Sequence, residues 1–322
     1  MSTFNGVWVF SENWDLATEM LSKGRELADK LQTELAAIVL GHDIKEQAED
    51  LAVYGADKIL TADNPIFKNL QVEPYLGALA DLAAKHKPQI LLVGSTRRGK
   101  ELAARLAARL QTGLIPDVVK LEINEEKMLI ATRIVYGGNG IAVQTYKAKP
   151  QIATVPPRTF EKPKPSDKKA EVVNVEVKLE ESKAEVVEVK PVEAAKTRIE
   201  EAKIVVCGGR GVNKKEDFKM FEELANLLGG QIGGTRPLAE DRKWFSEWVG
   251  LSGKKVKPDL YIGCGISGMI QHVAGIRDSR VIVAINKDPN AAIFEVADYA
   301  VVGDIYQIIP ALIETLKQTL KR

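Results

Sequence analysis

The 322-residue chain is 45% apolar and 28% charged, which excludes a disordered or fibrous protein and, by length, suits about two domains. Its 45 Lys and Arg offset 44 Asp and Glu to a formal charge of +1, too small a basic excess for broad capture of nucleic acid or an anionic membrane. Cys207 and Cys264 form no CxxC pair or disulfide framework, and three histidines are too few for a multi-ligand zinc or haem site.

The apolar start, Gly6-Val7-Trp8-Val9-Phe10, halts at Ser11-Glu12-Asn13 and has no basic stretch before it, so it is too short for a signal-peptide core. No run nears the roughly 20 apolar residues of a spanning helix. A soluble, cytoplasmic protein without membrane insertion is expected.

From residue 6 to about 155, apolar runs alternate with helical patterns. Residues 7–10, 36–40, 58–60 and 90–93 read as buried strands, and residues 16–31 and 101–110 as amphipathic helices. This alternation predicts βαβ units around a parallel sheet. Residues 117–123, 127–135 and 141–147 are strand-like without intervening helices, which predicts an antiparallel extension. Tyr136-Gly137-Gly138-Asn139-Gly140 is a turn or bulge within it.

Residues 161–201 hold 20 charges in 41 positions and no aromatic residue or glycine. Prolines at 156, 157, 163 and 165 suggest a flexible start. Valine near-alternation at 172–177 and 185–189 then predicts one or two edge strands on the first domain, their Lys and Glu blunting the edge. The first domain is accordingly drawn as residues 1–200, including the connector 156–200, and the second as 201–322.

In the second domain, strands are expected at 204–207, 259–262, 281–285 and 299–302. Helices are expected at 215–228, from the loop after residue 262 through Ala274, and at 305–320. The whole chain is thus read as α/β, with two domains of mostly parallel sheet flanked by helices and a Rossmann-like nucleotide-binding fold at the C-terminal end.

The loop Gly263-Cys264-Gly265-Ile266-Ser267-Gly268 satisfies G-x-G-x-x-G after a strand. Glycines there let backbone approach a pyrophosphate, and Ser267 is a candidate cap and phosphate donor. The next strand ends at Asn286 where NAD-binding loops carry a carboxylate, which weakens an NAD-linked oxidoreductase reading. Taken alone, the loop suits either a nucleotide or a turn that needs small residues. Arg210, Thr235, Arg236 and Asp304 stand at comparable strand ends, so they would share one crevice with it. His272 reads equally as packed core, and both cysteines as buried small residues.

The run from Pro258 through Gly263-Cys264-Gly265-Ile266-Ser267-Gly268-Met269-Ile270-Gln271-His272, continued by Val283-Ala284-Ile285-Asn286-Lys287-Asp288, resembles the signature of electron transfer flavoprotein alpha subunits. Gly208-Gly209-Arg210-Gly211, Val249-Gly250-Leu251-Ser252-Gly253-Lys254 and Gly94-Ser95-Thr96-Arg97-Arg98-Gly99-Lys100 agree with it. The resemblance implies one FAD in the C-terminal domain and a beta-subunit partner that holds a second FAD or AMP. It also implies a donor dehydrogenase and an acceptor oxidoreductase. The first domain resembles adenine-nucleotide-binding units and would serve as a base on the beta subunit, without a ligand of its own.

Carried onto this chain, the FAD contacts would be Arg210, Thr235, Arg236, Val249, Gly250, Leu251, Ser252, Ser267, Gly268, Met269, Ile270, Gln271, His272, Asn286, Asp304 and Ile305. Arg236 would lie against the isoalloxazine, the Ser252 hydroxyl would reach flavin N5, and His272 would face flavin O2. Leu251 departs from a common Gln and Ser252 from a common Thr. The redox work would be the flavin's, with no catalytic side chain in this subunit. A subset of the family bifurcates electrons with NADH and a low-potential acceptor, and the determinants lie largely in the beta chain.

Overall fold

A computed structural model describes residues 4–136, 139–167, 169–189 and 199–320. These residues divide into two compact units, one ending at Val189 and the other beginning at Ile199.

In the first unit, β1 (Val7–Phe10), β2 (Leu35–Gly41), β3 (Lys58–Asp63) and β4 (Ile90–Gly94) alternate with α1 (Trp14–Leu31), α2 (Lys45–Leu51), α3 (Val72–His86) and α4 (Arg97–Arg109). There follow β5 (Leu114–Ile115), the antiparallel strands β6 (Val118–Ile123), β7 (Leu129–Val135) and β8 (Gly140–Gln144), then β9 (Gln151–Val155) and β10 (Glu171–Asn174). The main sheet runs β10-β3-β2-β1-β4-β9-β5 and is parallel throughout.

All seven residues of β2 are buried, because helices cover both sheet faces. Val7 and Val9 join the core on one face, and Trp8 and Phe10 the core on the other. Each such side chain contributes about 1.5–3 kcal/mol relative to exposure. Helix starts are locally encoded. The Asn13 side chain accepts from Leu16 N–H at 3.1 Å, and Thr96 Oγ1 accepts from Gly99 N–H at 2.9 Å.

Of the one or two edge strands expected in the connector, Glu171–Asn174 forms one, paired in parallel with β3, whereas residues 185–189 form none. Val187 and Val189 stand exposed, so they bury too little apolar surface to reward pairing. Gly137 and Gly138 of the expected turn lie outside the described residues.

The second unit contains β11 (Ile204–Gly208), α5 (Phe218–Leu228), β12 (Gln231–Gly234), β13 (Leu260–Cys264), α6 (Ile270–Val273), β14 (Ile282–Asn286), β15 (Tyr299–Val302) and α7 (Ile305–Leu320). Its five strands are parallel in the order β12-β11-β13-β14-β15. Chain direction across the sheet reverses between β11 and β13, and ligands of open α/β sheets collect beyond such a switch point. One correction falls here. The helix expected through Ala274 has four residues only, and its cap position is Met269, which makes no side-chain cap. Ser267 is therefore no helix cap. Among the described residues no helix is long and apolar enough to cross a membrane.

Candidate functional site

A cavity of about 520 Å³ opens where the carboxyl ends of the second unit's strands meet their loops. Its volume lies in the range of small-molecule and cofactor sites. Fourteen of the sixteen residues anticipated above line it; Gly268 and Ile270 do not. Gly268 is buried under the loop, and the Ile270 side chain is 58% exposed.

The floor is made of crossing glycine loops. Gly209 N–H donates to the Cys264 carbonyl at 2.9 Å, and Gly211 N–H to the Gly265 carbonyl at 3.0 Å. A Cβ on Gly209 would stand 2.4 Å from the Gly265 carbonyl oxygen, so the loops that follow β11 and β13 can meet this closely only through glycine. Gly268 has φ +87°, and a Cβ there would lie 2.1 Å from the Ile293 backbone nitrogen.

Asn286 serves the floor rather than presenting a free amide. Its Nδ2 donates to the Ile266 carbonyl at 2.7 Å, and its Oδ1 accepts from Asp288 N–H at 3.0 Å. The residue that replaces the usual carboxylate thus tethers the glycine loop to the end of β14. Asp304 likewise accepts from Tyr306 N–H at 2.9 Å at the start of α7.

The mouth is cationic and aromatic. Arg210, Arg236 and Lys287 line it, with Asp288 and Asp304 as the lining carboxylates. Arg236 Nε donates to Glu240 at 2.7 Å, and its guanidinium sits 5.8 Å from the Trp248 ring centroid. Arg210 makes no hydrogen bond or ion pair among the described residues. Thr235 is buried at 7% exposure, and its Oγ1 has no hydrogen-bond partner among the described residues. Such an orphaned hydroxyl in a cavity wall costs about 1–3 kcal/mol until an acceptor or donor reaches it.

His272 lies against this cavity at 8% exposure, yet both ring nitrogens are engaged. Nε2 meets the Tyr261 hydroxyl at 2.8 Å and Nδ1 the Val249 carbonyl at 3.1 Å. Burial pushes its pKa down from 6.5 to about 4, so the ring is neutral at physiological pH. An imidazole that stays neutral in the fold but accepts a proton near 6.5 when unfolded stabilises fully above 6.5. That contribution is lost as pH falls toward about 4. The second unit should therefore lose about 2 kcal/mol of stability between pH 7.5 and pH 5. Denaturant midpoints at the two pH values measure this, and His272→Gln should flatten the difference; an equal slope in both proteins would contradict it.

The cysteines are inert by position. Both are fully buried, and burial pushes the Cys207 thiol up to about 12 and the Cys264 thiol higher.

The loop after β4 in the first unit is already filled by its own carboxylates. Glu12 accepts from the Thr96 hydroxyl, and Asp117 from both Ser95 and Lys100, the latter at 3.0 Å. Acidic oxygens stand where a phosphate-binding loop would offer donors.

Trp248 and Tyr306 line the cavity without having been anticipated. Trp248 belongs to no glycine motif. Tyr306 carries a readable cue, an aromatic residue with a polar tip one step past Asp304-Ile305. Its hydroxyl donates to Asp217 at 2.6 Å and accepts from Asn213 N–H at 2.8 Å, which seats α7 beside the first glycine turn.

Residues 7–180 match the electron transfer flavoprotein domain, and residues 198–277 match the electron transfer flavoprotein FAD-binding domain. The chain is 44% identical to the electron transfer flavoprotein subunit alpha of Clostridium acetobutylicum, covering 98% of this chain and 97% of that one. It is 37% identical to the lactate dehydrogenase (NAD(+),ferredoxin) subunit LctC of Acetobacterium woodii, over 98% of this chain and 78% of the relative. It is 34% identical to the acryloyl-CoA reductase electron transfer subunit beta of Anaerotignum propionicum, over 99% and 97%. With these matches running through both units, the chain belongs to the electron transfer flavoprotein alpha-subunit family, and its second unit is that family's FAD-binding domain.

Proposed function

We propose that this chain holds one FAD in the cavity of its second unit. It would act with a beta subunit that carries a second FAD or AMP, passing electrons from a dehydrogenase to an acceptor oxidoreductase. Bound FAD supplies one- and two-electron redox chemistry. The observation that carries the reading is the pairing of an uncommitted Arg210 with the orphaned Thr235 hydroxyl in one cavity at the switch point.

The residues present suit such a cofactor. The glycine loops let backbone approach a diphosphate, and Arg210 supplies charge to it. Arg236, held by Glu240 and Trp248, presents a planar cation to an aromatic ring. Leu251 makes that wall apolar, and the exposed Ser252 hydroxyl is free to hydrogen-bond the ring's edge. Positive charge near the ring favours its reduced, anionic forms and raises the potential.

Bifurcation with NADH and a low-potential acceptor is a second reading. It draws support from the relative whose name includes NAD(+) and ferredoxin. NADH oxidation that requires a ferredoxin-type acceptor would favour it over simple carriage.

Thr235→Val tests the site. Removing an unpaired hydroxyl should leave the FAD-free protein as stable as before or slightly more so. It should weaken FAD binding by roughly 2- to 10-fold, the worth of one neutral hydrogen bond. Unchanged FAD affinity would remove Thr235 from the site.

A further inference from the structure

Tyr261, His272 and the Val249 carbonyl form a buried chain of polar groups whose protons can all be assigned. The Val249 carbonyl can only accept, so His272 Nδ1, 3.1 Å away, carries a proton. The ring is neutral, so Nε2 carries none and must accept. Its partner at 2.8 Å, the Tyr261 hydroxyl, therefore donates. The direction is single: phenol to imidazole, imidazole to the backbone of the loop that carries Ser252. Tyr261 is fully buried on β13, between the paired strands β11 and β14, so the sheet holds the donor in place.

We propose that Tyr261 is a positioning residue that locks His272 as the Nδ1–H tautomer, making the histidine a clamp on the Val249 carbonyl rather than an N–H donor to the bound ligand. The clamped segment is short. Gly250 has φ +153°, and Leu251 and Ser252 are exposed. Backbone bonds assist the clamp: Val249 N–H to the Gly234 carbonyl at 2.9 Å, Leu251 N–H to the Gln271 carbonyl at 2.7 Å, Gly250 N–H to the Lys254 carbonyl at 3.0 Å and Gly253 N–H to the Gly250 carbonyl at 3.1 Å. Gly275 closes against the same turn, where a Cβ would lie 2.5 Å from Gly250 Cα. Tyr261 thus sets the position of the Val249–Ser252 wall from beneath without touching the cavity.

The consequence for the ligand rests on the FAD reading, but the tautomer belongs to the chain itself. The test is nitrogen NMR of the full chain, with 15N-labelled histidine, purified with its beta partner at pH 7.5. Spectra would be taken with FAD bound and after FAD removal. His42→Gln and His86→Gln variants assign the three resonance pairs. The expected spectrum shows His272 protonated at Nδ1, with Nε2 as a hydrogen-bonded lone-pair nitrogen, in both states. A proton on Nε2 in either state overturns the proposal.

In Tyr261→Phe the Nε2 resonance should move to that of a nitrogen without a donor, and FAD should bind roughly 2- to 10-fold more weakly through the loosened loop. An unmoved Nε2 resonance overturns the proposal. Should Tyr261→Phe fail to fold, the wild-type spectra decide alone, and an Nε2 proton in either state overturns the assignment. Failure to bind FAD at all would appear in the visible spectrum and would count against the cofactor reading, leaving the tautomer result to stand separately.

Discussion

Gly268→Ala is expected to empty the FAD site and to destabilise the second unit by about 2–5 kcal/mol. Two costs add. The residue sits at φ +87°, where an L side chain is strained by about 1–2 kcal/mol. The new Cβ would also lie 2.1 Å from the nitrogen and 2.5 Å from the Cα of Ile293, which are backbone atoms that cannot swing aside. Ile293 is itself fully buried, and its N–H donates to the Ser267 carbonyl at 3.2 Å. Relief would have to push the glycine loop into the cavity, at a further cost of about 1–3 kcal/mol. Gly229→Ala is the control. That residue also has positive φ, +70°, but no atom lies within 4 Å of its Cβ position, so only the conformational cost applies. A denaturant midpoint for Gly268→Ala equal to that of Gly229→Ala would mean that the loop yields freely.

Arg210→Ala is expected to weaken FAD binding roughly 10- to 100-fold while leaving thermal stability unchanged. The guanidinium is exposed in the cavity wall and makes no bond among the described residues, so its removal takes no packing or ion pair with it. A charge-assisted contact to a phosphate is worth about 1.5–3 kcal/mol, which is the stated range in affinity. Arg236→Ala should show the opposite balance. Its charge already faces Glu240 and Trp248, so less remains for a ligand and some local order is lost. Titrating FAD into the two stripped variants separates them; equal losses would mean that Arg210 is not the diphosphate cation.

The sheets of both units are legible wherever strands are continuous apolar runs. Ile90–Gly94 and Leu35–Gly41 are examples, because burial on both faces leaves no polar position to obscure them. Gln151–Val155 escapes such reading. It lies beside β4 in the sheet, yet it is flanked by prolines and carries Gln151 and Thr154, both fully buried. Gln151 is tolerated because its Oε1 accepts from Leu129 N–H at 2.8 Å and its Nε2 donates to the Tyr146 carbonyl at 2.8 Å. Satisfaction of that kind comes from distant chain segments and leaves no local pattern. Gln231–Gly234 is likewise too short and too rich in glycine to announce a strand.

At the site, the glycine loops and the polar strand ends were readable because the fold sends all carboxyl ends to one crevice. The roles within the crevice were less so. Whether Asn286 presents its amide to a ligand or to Ile266, and whether His272 offers an N–H or uses both nitrogens inward, depends on distances that spacing does not encode. The length of α6 was misread for a related reason. Gly275 allows the chain to leave the helix and press onto Gly250, although the sequence around it keeps helical periodicity.

The most direct test counts FAD released from the purified heterodimer, with the wild-type chain and Gly268→Ala compared side by side. The account predicts that the wild type holds one FAD more per heterodimer than the variant, whatever the beta subunit contributes. Equal FAD content in the two, with the variant destabilised by the predicted amount and both chains folded and paired, would place the flavin outside this cavity.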